Sequence, residues 1–308
     1  MSSVTPLPNA SGATAAQVLD ALDEVLLGKR TQCTLALTCI LAQGHLLIED
    51  VPGVGKTTLA RAFGGLLGLD WKRVQFTNDL LPADVVGVSI FDTKTQEFQF
   101  QAGPVFTSLL LADEINRAPA KAQSALLEAM EERQVSVDGV TRELPDPFFV
   151  IATQNPGEQR GVFALPESQL DRFLMGVSLG YPDSEQERQL LANGDTRQAV
   201  DNLNALVSPA VLKHWMDAIN DVHMADSVLD YLHELVIQSR VDHLGLSPRA
   251  ALGLVRASRA FAYIHQRDHV LPDDVKAVFA SVAGHRLTGS VSAGKTASDA
   301  ITSLVKAP

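Results

Sequence analysis

The segment His45–Thr58, HLLIEDVPGVGKTT, allows very few backbone arrangements. Its first five residues read as a short buried strand, the middle as a glycine-rich turn, and its end as the first turn of a helix. In that order, the N–H groups of the turn and of the first helical turn converge on one point, and the helix dipole makes that point attractive to an anion. Gly53 and Gly55 let the main chain approach phosphate oxygens, Lys56 supplies a mobile positive charge, and Thr57 offers a hydroxyl to Mg²⁺. The wrapping stretch as a whole is Val51, Pro52, Gly53, Val54, Gly55, Lys56, Thr57 and Thr58.

A mechanical match to G-x-x-x-x-G-K-[ST] lies elsewhere, at Gly289–Thr296 (GSVSAGKT); the first segment has Asp50 where the pattern asks for glycine. Context favours the first segment. The C-terminal copy follows a helical stretch and the residues HRL, with no apolar strand before it and no later strand bearing an acid. It reads as a coincidence in a flexible tail. The first copy is followed by Ser108–Ala112 (SLLLA), a continuous apolar run ending in Asp113-Glu114. A phosphate loop needs such a partner, because phosphoryl transfer is promoted by positioning and charge. Asp113 would hold Mg²⁺, and Glu114 would orient and polarise the attacking water. Asn155, at the end of the apolar strand Phe148–Thr153 (FFVIAT), could reach the γ-phosphate or that water. Arg172 in LPESQLDRF and Arg249 in LSPRA are candidate stabilisers of developing charge; Gly28–Arg30 could pack near a base.

Strands alternating with helices, each strand nearly all apolar, indicate a parallel sheet covered on both faces. The expected order is a helix over 14–26, a second through Gln32–Ala42, the strand His45–Glu49, a helix from Lys56 to about Leu67, and a strand Arg73–Thr77. A hairpin pairs Gly87–Phe91 with Glu97–Gln101, a helix spans Ala120–Arg133, and Asp138-Gly139 marks a second hairpin. Beyond Tyr181-Pro182 only helical periodicity remains, with the last helix at about Asp273–Val282. The expected layout is a loose tail over 1–13, an α/β core over 14–182, an all-α lid over 183–287 and a C-terminal tail over 288–308.

Composition narrows the classes further. In 308 residues there are 46% hydrophobic and 20% charged residues, as in an ordinary soluble protein, and the net charge of −11 argues against broad attachment to nucleic acid. The N-terminus lacks a basic region followed by an apolar one, and no apolar run approaches the roughly 20 residues of a membrane helix. A soluble cytoplasmic protein is expected. Cys33 and Cys39 lie in one helical segment, about 9 Å apart along its axis and on different sides, too far for a disulfide.

With VPGVGKTTLARA, LLLADEINRAPAKAQSALLEAMEERQVSVDG, FFVIATQNP, LPESQLDRF and LSPRAALGLVRASRA in this order, the chain resembles the MoxR family of AAA+ ATPases from about Val25 to Leu287. The resemblance implies an AAA+ αβα-sandwich core with a parallel sheet, followed by a helical lid. It also implies ATP and Mg²⁺ as cofactors and a homo-oligomeric, usually hexameric, ring. By position, Lys56 and Thr57 match Walker A, Asp113 and Glu114 Walker B, and Asn155 sensor 1. Arg172 matches the arginine finger that acts on a neighbour's nucleotide, and Arg249 matches sensor 2, in cis or in trans. The hairpin around Asp92–Glu97 and that at Asp138-Gly139 match inserts that face the ring centre or the client. The implied role is chaperone-like maturation of a partner protein, often one with a von Willebrand factor A domain, sometimes through metal or cofactor insertion. Arg160 falls in a loop with no expected family role. A magnesium-chelatase-like subunit, a nucleotide-gated scaffold without turnover and a DNA-remodelling motor are the competing readings; a GTPase is disfavoured by the lack of an N-K-x-D segment.

Overall fold

The computed structural model describes residues 13–156, 163–193, 199–200, 202–241 and 244–308. Residues 1–12 of the expected tail, and Arg160, lie outside the described residues. The chain opens with α1 (Ala15–Val25), whose first turn is closed by a capping box in which Thr14 accepts from the Gln17 N–H and Gln17 accepts from the Thr14 N–H. Its buried stripe, Val18, Leu19, Leu22 and Val25, packs on α2 (Arg30–Leu41) and α3 (Lys56–Leu66).

Five strands make a parallel sheet in the order β2-β5-β8-β1-β9: β1 (Leu46–Glu49), β2 (Trp71–Gln75), β5 (Leu109–Asp113), β8 (Phe149–Gln154) and β9 (Met175–Val177). The register places Leu46 opposite both Ile151 and Met175, and Leu111 opposite Ile151. Alternation along the strands sends Leu46, Ile48, Leu109, Leu111, Phe149 and Ile151 to one apolar cluster and Leu47, Leu110, Ala112, Val150 and Ala152 to the other. Both faces are therefore buried, as the unbroken apolar runs require. The second cluster is closed by α5 (Ala120–Glu132). The hairpins β3 (Gly87–Asp92) with β4 (Glu97–Ala102), and β6 (Gln134–Val137) with β7 (Val140–Glu143), stand outside this sheet. The short helices α4 (Pro82–Val86) and α6 (Glu167–Leu170) complete the core.

The lid comprises α7 (Ser184–Asn193), α8 (Pro209–Ala218), α9 (Asp226–Gln238), α10 (Pro248–Ile264), α11 (Pro272–Thr288) and α12 (Val291–Leu304). Its buried side chains, among them Trp215, Leu254 and Phe279, continue the cluster on the α1–α3 face of the sheet. Core and lid thus share one apolar interior.

The C-terminal expectation needs correction. The helix expected to end at Val282 runs to Thr288, and residues 291–304 form a packed helix, not a flexible tail. The glycines that produced the strict motif have packing and capping roles. Gly289, at φ +71°, ends α11 in the left-handed conformation. Gly294 lies where a Cβ would stand 2.0 Å from the Gly284 carbonyl oxygen, so only glycine lets α11 and α12 approach this closely. Ser290 caps α12 and donates to Glu49 Oε1 at 2.6 Å, which fastens the last helix to the end of β1. Strand β2 begins two residues earlier than expected, at Trp71. Cys33 and Cys39 are free, buried thiols; burial raises Cys33 to about 12.

His45 is buried ahead of β1. Its Nδ1 accepts from the Val150 N–H at 3.0 Å, so Nε2 carries the proton and donates to the Met130 carbonyl at 3.1 Å. Burial lowers its pKa from 6.5 to about 4. The unfolded chain therefore takes up a proton that the folded chain refuses. Stability is full above the unfolded value of 6.5 and falls as pH drops towards 4, by up to about 1.4 kcal/mol per pH unit. In urea titrations at pH 7.5, 6 and 5, His45→Gln is expected to start less stable than the wild type but to lose less on acidification. A wild-type-sized acid loss in the variant would remove His45 as its source.

Candidate active site

Parallel strands all present their carboxyl ends to the same edge, and that edge gathers Glu49-Asp50, Gln75, Asp113-Glu114 and Gln154-Asn155. β1 runs directly into the loop 50–55, in which Gly53 (φ +87°) and Gly55 (φ +100°) take conformations that a Cβ opposes; Gly55 starts α3. Open space of at least 4 Å faces Gly53. Lys56 is only 8% exposed, and its ammonium donates to the Asp50 carbonyl at 2.7 Å and to Asn155 Oδ1 at 3.0 Å. Both acceptors are neutral, and one of three N–H donors remains for another ligand. Burial lowers its pKa, while the charges of Asp113, Asp50 and Glu114 act the other way. A buried cation on neutral acceptors, beside a glycine cradle, fits an anionic phosphate chain.

Asp50, the departure from the motif, has a defined role. Its Oδ2 accepts from the Gly180 N–H at 2.7 Å and from Ser178 Oγ at 3.1 Å, and its Oδ1 accepts from the Val51 N–H at 2.9 Å. Lys29 donates to the carbonyls of Gly180 and Tyr181 at 3.1 and 2.9 Å. The carboxylate thus ties the start of the loop to the segment where the chain leaves β9 for the lid.

Asp113 ends β5. Its Oδ1 accepts from Thr153 Oγ1 at 2.6 Å and its Oδ2 from Arg73 Nη2 at 2.6 Å. Glu114 follows at φ 56°, the left-handed region, which costs a non-glycine residue roughly 1–2 kcal/mol. A continued strand would send it to the face opposite Asp113; the turn brings both acids to the same edge. Glu114 Oε2 accepts from Gln75 Nε2 at 2.7 Å and pairs with Arg117 at 3.1 Å, and Oε1 accepts from Asn155 Nδ2 at 3.3 Å. Asn155 therefore bridges Lys56 and Glu114, the candidate phosphate ligand and the candidate water-polarising acid.

Arg172 and Arg249 are placed differently. Arg172 precedes β9, which runs parallel to β1 with Met175 opposite Leu46, so it stands at the amino-terminal edge of the sheet. The phosphate loop leaves the opposite edge, on the order of 15 Å away at about 3.3 Å per strand residue. There Arg172 Nε pairs with Glu131 Oε2 at 3.1 Å, and Arg249 reaches Glu131 Oε1. The two arginines meet on one carboxylate, and neither joins Lys56, Asp113 and Glu114.

Residues 45–175 match the family model for the ATPase family associated with various cellular activities (AAA), and residues 237–304 match that for the AAA lid domain. The YeaC protein of Bacillus subtilis is 44% identical, the alignment covering 88% of this chain and 86% of that protein. Chaperone MoxR1 of Mycobacterium tuberculosis is 40% identical over 85% of this chain and 72% of its own length. The MoxR protein of Paracoccus denitrificans is 32% identical over 87% and 86%. The chain belongs to the MoxR family of AAA+ ATPases. A crystal structure from Cytophaga hutchinsonii, carrying a provisional ATPase name, superimposes with a TM-score of 0.82 at 36% identity, covering 95% of this chain and 94% of that one. This MoxR-family chain accordingly binds nucleotide and hydrolyses ATP.

Among the described residues no group of three or more His, Cys, Asp or Glu forms a metal cage. Mg²⁺ needs none, since it is commonly held by one or two carboxylates together with substrate phosphates and water. Asp113 retains acceptor capacity beyond Thr153 and Arg73, and Thr57 follows Lys56 at the start of α3, so the donor set suits that ion.

Sequence reasoning missed Arg73, Gln75, Thr153 and Glu131. The only trace of Gln75 and Thr153 was their place at or next to a strand end; Arg73, in the middle of β2, and Glu131, on an otherwise ordinary helix, carried no signal. Thr153 is fully buried, donates to Asp113 and accepts from the Glu114 N–H at 2.9 Å. Thr153→Val keeps its shape and removes both bonds. The expected result is a fall in kcat of about 10–100-fold and a higher Mg²⁺ requirement, whereas Lys295→Ala, in the strict motif match, hydrolyses ATP at the wild-type rate. Steady-state ATPase assays with Mg²⁺ titration check both; a loss in Lys295→Ala would contradict the assignment of the loop.

Proposed function

We propose that the protein works in the cytoplasm as a homo-oligomeric ring of six subunits. ATP lies between core and lid of one subunit, Thr57 and Asp113 hold Mg²⁺, and Arg172 and Arg249 come from the neighbour. Turnover drives movement of lid and hairpins that matures or activates a partner protein. The observation that carries this reading is the position of Arg172 and Arg249 at the edge of the sheet remote from their own phosphate loop. A finger there is useless to its own nucleotide and available to the next subunit. It also favours a trans role for Arg249, which shares Glu131 with Arg172.

In such a site Lys56 holds the phosphates and Asn155 keeps Lys56 and Glu114 in register. Oε2 of Glu114 is engaged by Gln75 and Arg117, while Oε1 accepts only from Asn155 and keeps acceptor capacity for a water. The arginines of the neighbour supply charge to the transition state, a contribution worth about 10³–10⁵ in kcat where such fingers act.

A protein client is supported by two observations. The Mycobacterium tuberculosis relative is named a chaperone. The β3–β4 hairpin exposes Val88, Ile90, Phe91 and Phe98, the last at 73%, with Phe91 and Phe98 packed edge to face. Such a patch suits transient contact with another chain. The family resemblance points to a client with a von Willebrand factor A domain, and to metal or cofactor insertion as the maturation step. Among the described residues no helix is long and apolar enough to cross a membrane.

Mixing subunits tests the shared site. Arg172→Ala and Lys56→Ala homo-oligomers should each be nearly inactive, the former by about 10³ in kcat or more, and mixtures should regain activity, because some interfaces then pair an intact loop with an intact finger. No recovery at any ratio would rule out sites completed in trans. The client is read separately. Glu114→Gln held with ATP should retain a partner that the Lys56→Ala form releases, identified by mass spectrometry of the captured material. Equal ATPase rates for wild type and Glu114→Gln would replace this reading with a scaffold, and turnover of a porphyrin substrate would replace it with a chelatase subunit.

A further inference from the structure

The residues flanking Arg172 are held by the lid. Arg286, on α11 with a side chain only 5% exposed, donates from Nε to Asp171 Oδ1 at 2.8 Å. Its Nη2 donates to the carbonyls of Asp171 and Phe173 at 2.9 and 2.6 Å, and its Nη1 to the carbonyl of Leu174 at 3.1 Å. One guanidinium thus spans the main chain on both sides of Arg172. A planar group with five fixed donors suits this, whereas a lysine would not satisfy so many acceptors. The Asp171 carboxylate has a second partner in Ser247, whose Oγ lies 2.9 and 3.1 Å from its two oxygens. Ser247 caps α10, the helix that carries Arg249.

We propose that Asp171, gripped by Arg286 of α11 and Ser247 of α10, is a positioning residue that sets Arg172 for the neighbouring subunit. The two lid helices and the finger then move as one body. The proposal rests on the trans reading of Arg172 given above. Closure of the lid on a subunit's own ATP would be passed, through α10 and α11, to the finger that subunit offers to the next site. The chemistry of one interface would thereby depend on the nucleotide at another, with no flexible connector between them. The bland alternative is that Arg286 and Asp171 are a buried pair that only fastens lid to core. The two readings differ in which subunit's turnover is lost.

Asp171→Asn keeps the shape and the contact with Ser247 while removing the charge opposite Arg286. In the full-length ring it should lower kcat about 10–100-fold, as a misplacement near 1 Å can. KM for ATP should stay within about twofold of wild type, because the phosphate loop of the same subunit is at the other edge of the sheet. Mixing with Lys56→Ala subunits, which bring intact fingers, should restore turnover; mixing with Arg172→Ala subunits should not. The double variant Asp171→Asn/Arg172→Ala should be no slower than Arg172→Ala alone, since a residue that acts through Arg172 has nothing left to position. Wild-type kcat in Asp171→Asn, losses that multiply in the double variant, or failure of Lys56→Ala subunits to rescue it while they do rescue Arg172→Ala would overturn the proposal. Wild-type kcat in Arg172→Ala itself would instead overturn the underlying trans reading. Should Asp171→Asn not fold, Ser247→Asp reads the same node, because aspartate still caps α10 but sets a like charge against Asp171; the same kcat loss and the same rescue are expected, and their absence counts against the proposal.

Discussion

Every strand of the sheet runs in the same direction, and most of the chemistry of the molecule follows from that constraint. The buried parts of β1, β5 and β8 hold almost no polar side chains, so charge can collect only where the strands emerge. At their carboxyl ends it collects as Asp50, Asp113, Glu114 and Asn155, with Gln75 from β2, grouped around Lys56. Arg172 precedes β9 and is therefore delivered to the opposite edge. The separation of Arg172 from the Lys56 cluster is a consequence of strand direction, and the edge-to-edge ring proposed above would bring the two together. At that edge Glu131 occupies both Arg172 and Arg249.

The parts of this arrangement legible in the sequence were those set by neighbours in the chain. A strand, two glycines and a lysine within His45–Thr58 announce an anion site because the turn and the helix start are local. The acidic pair after SLLLA is local for the same reason, since a buried strand can release charge only at its end. The sheet itself followed from unbroken apolar runs, whose residues do divide between two covered faces. The hairpin at Asp138-Gly139 was local too, and both its central residues take positive φ.

What the sequence did not disclose were partners brought together by the fold. Lys56 meets Asn155 across 99 positions, Asp50 meets Gly180 across 130, and Ser290 meets Glu49 across 241. No periodicity records such pairs. The C-terminal stretch shows the same limit from another side. GSVSAGKT has the right letters and lacks the strand that would give them their geometry; its glycines serve a helix end at Gly289 and a close helix contact at Gly294. The expectation of a tail failed because α12 buries Val291 and Ile301 along one face, approaches α11 closely at Gly294 and is fastened by Ser290 to Glu49.

Asp50 shows how a motif can be departed from without losing its purpose. A glycine there would remove the side-chain bonds that join the start of the loop to the segment after β9. The aspartate adds three hydrogen bonds, two of them to the segment where β9 gives way to the lid, while Lys29 holds the same segment from the other side. The loop is thus bonded, at one edge of the sheet, to the connector between β9 and α7. At the other edge, Asp171, next to Arg172, is bonded to α10 and α11 of the same lid. The connector that leads into the lid is therefore bonded to the loop at one edge, and two helices of the lid are bonded to the Arg172 segment at the other. To separate α11 from the segment around Arg172, Arg286 would have to release four acceptors at once, and a buried guanidinium stripped of its partners is among the costlier things a protein interior can hold.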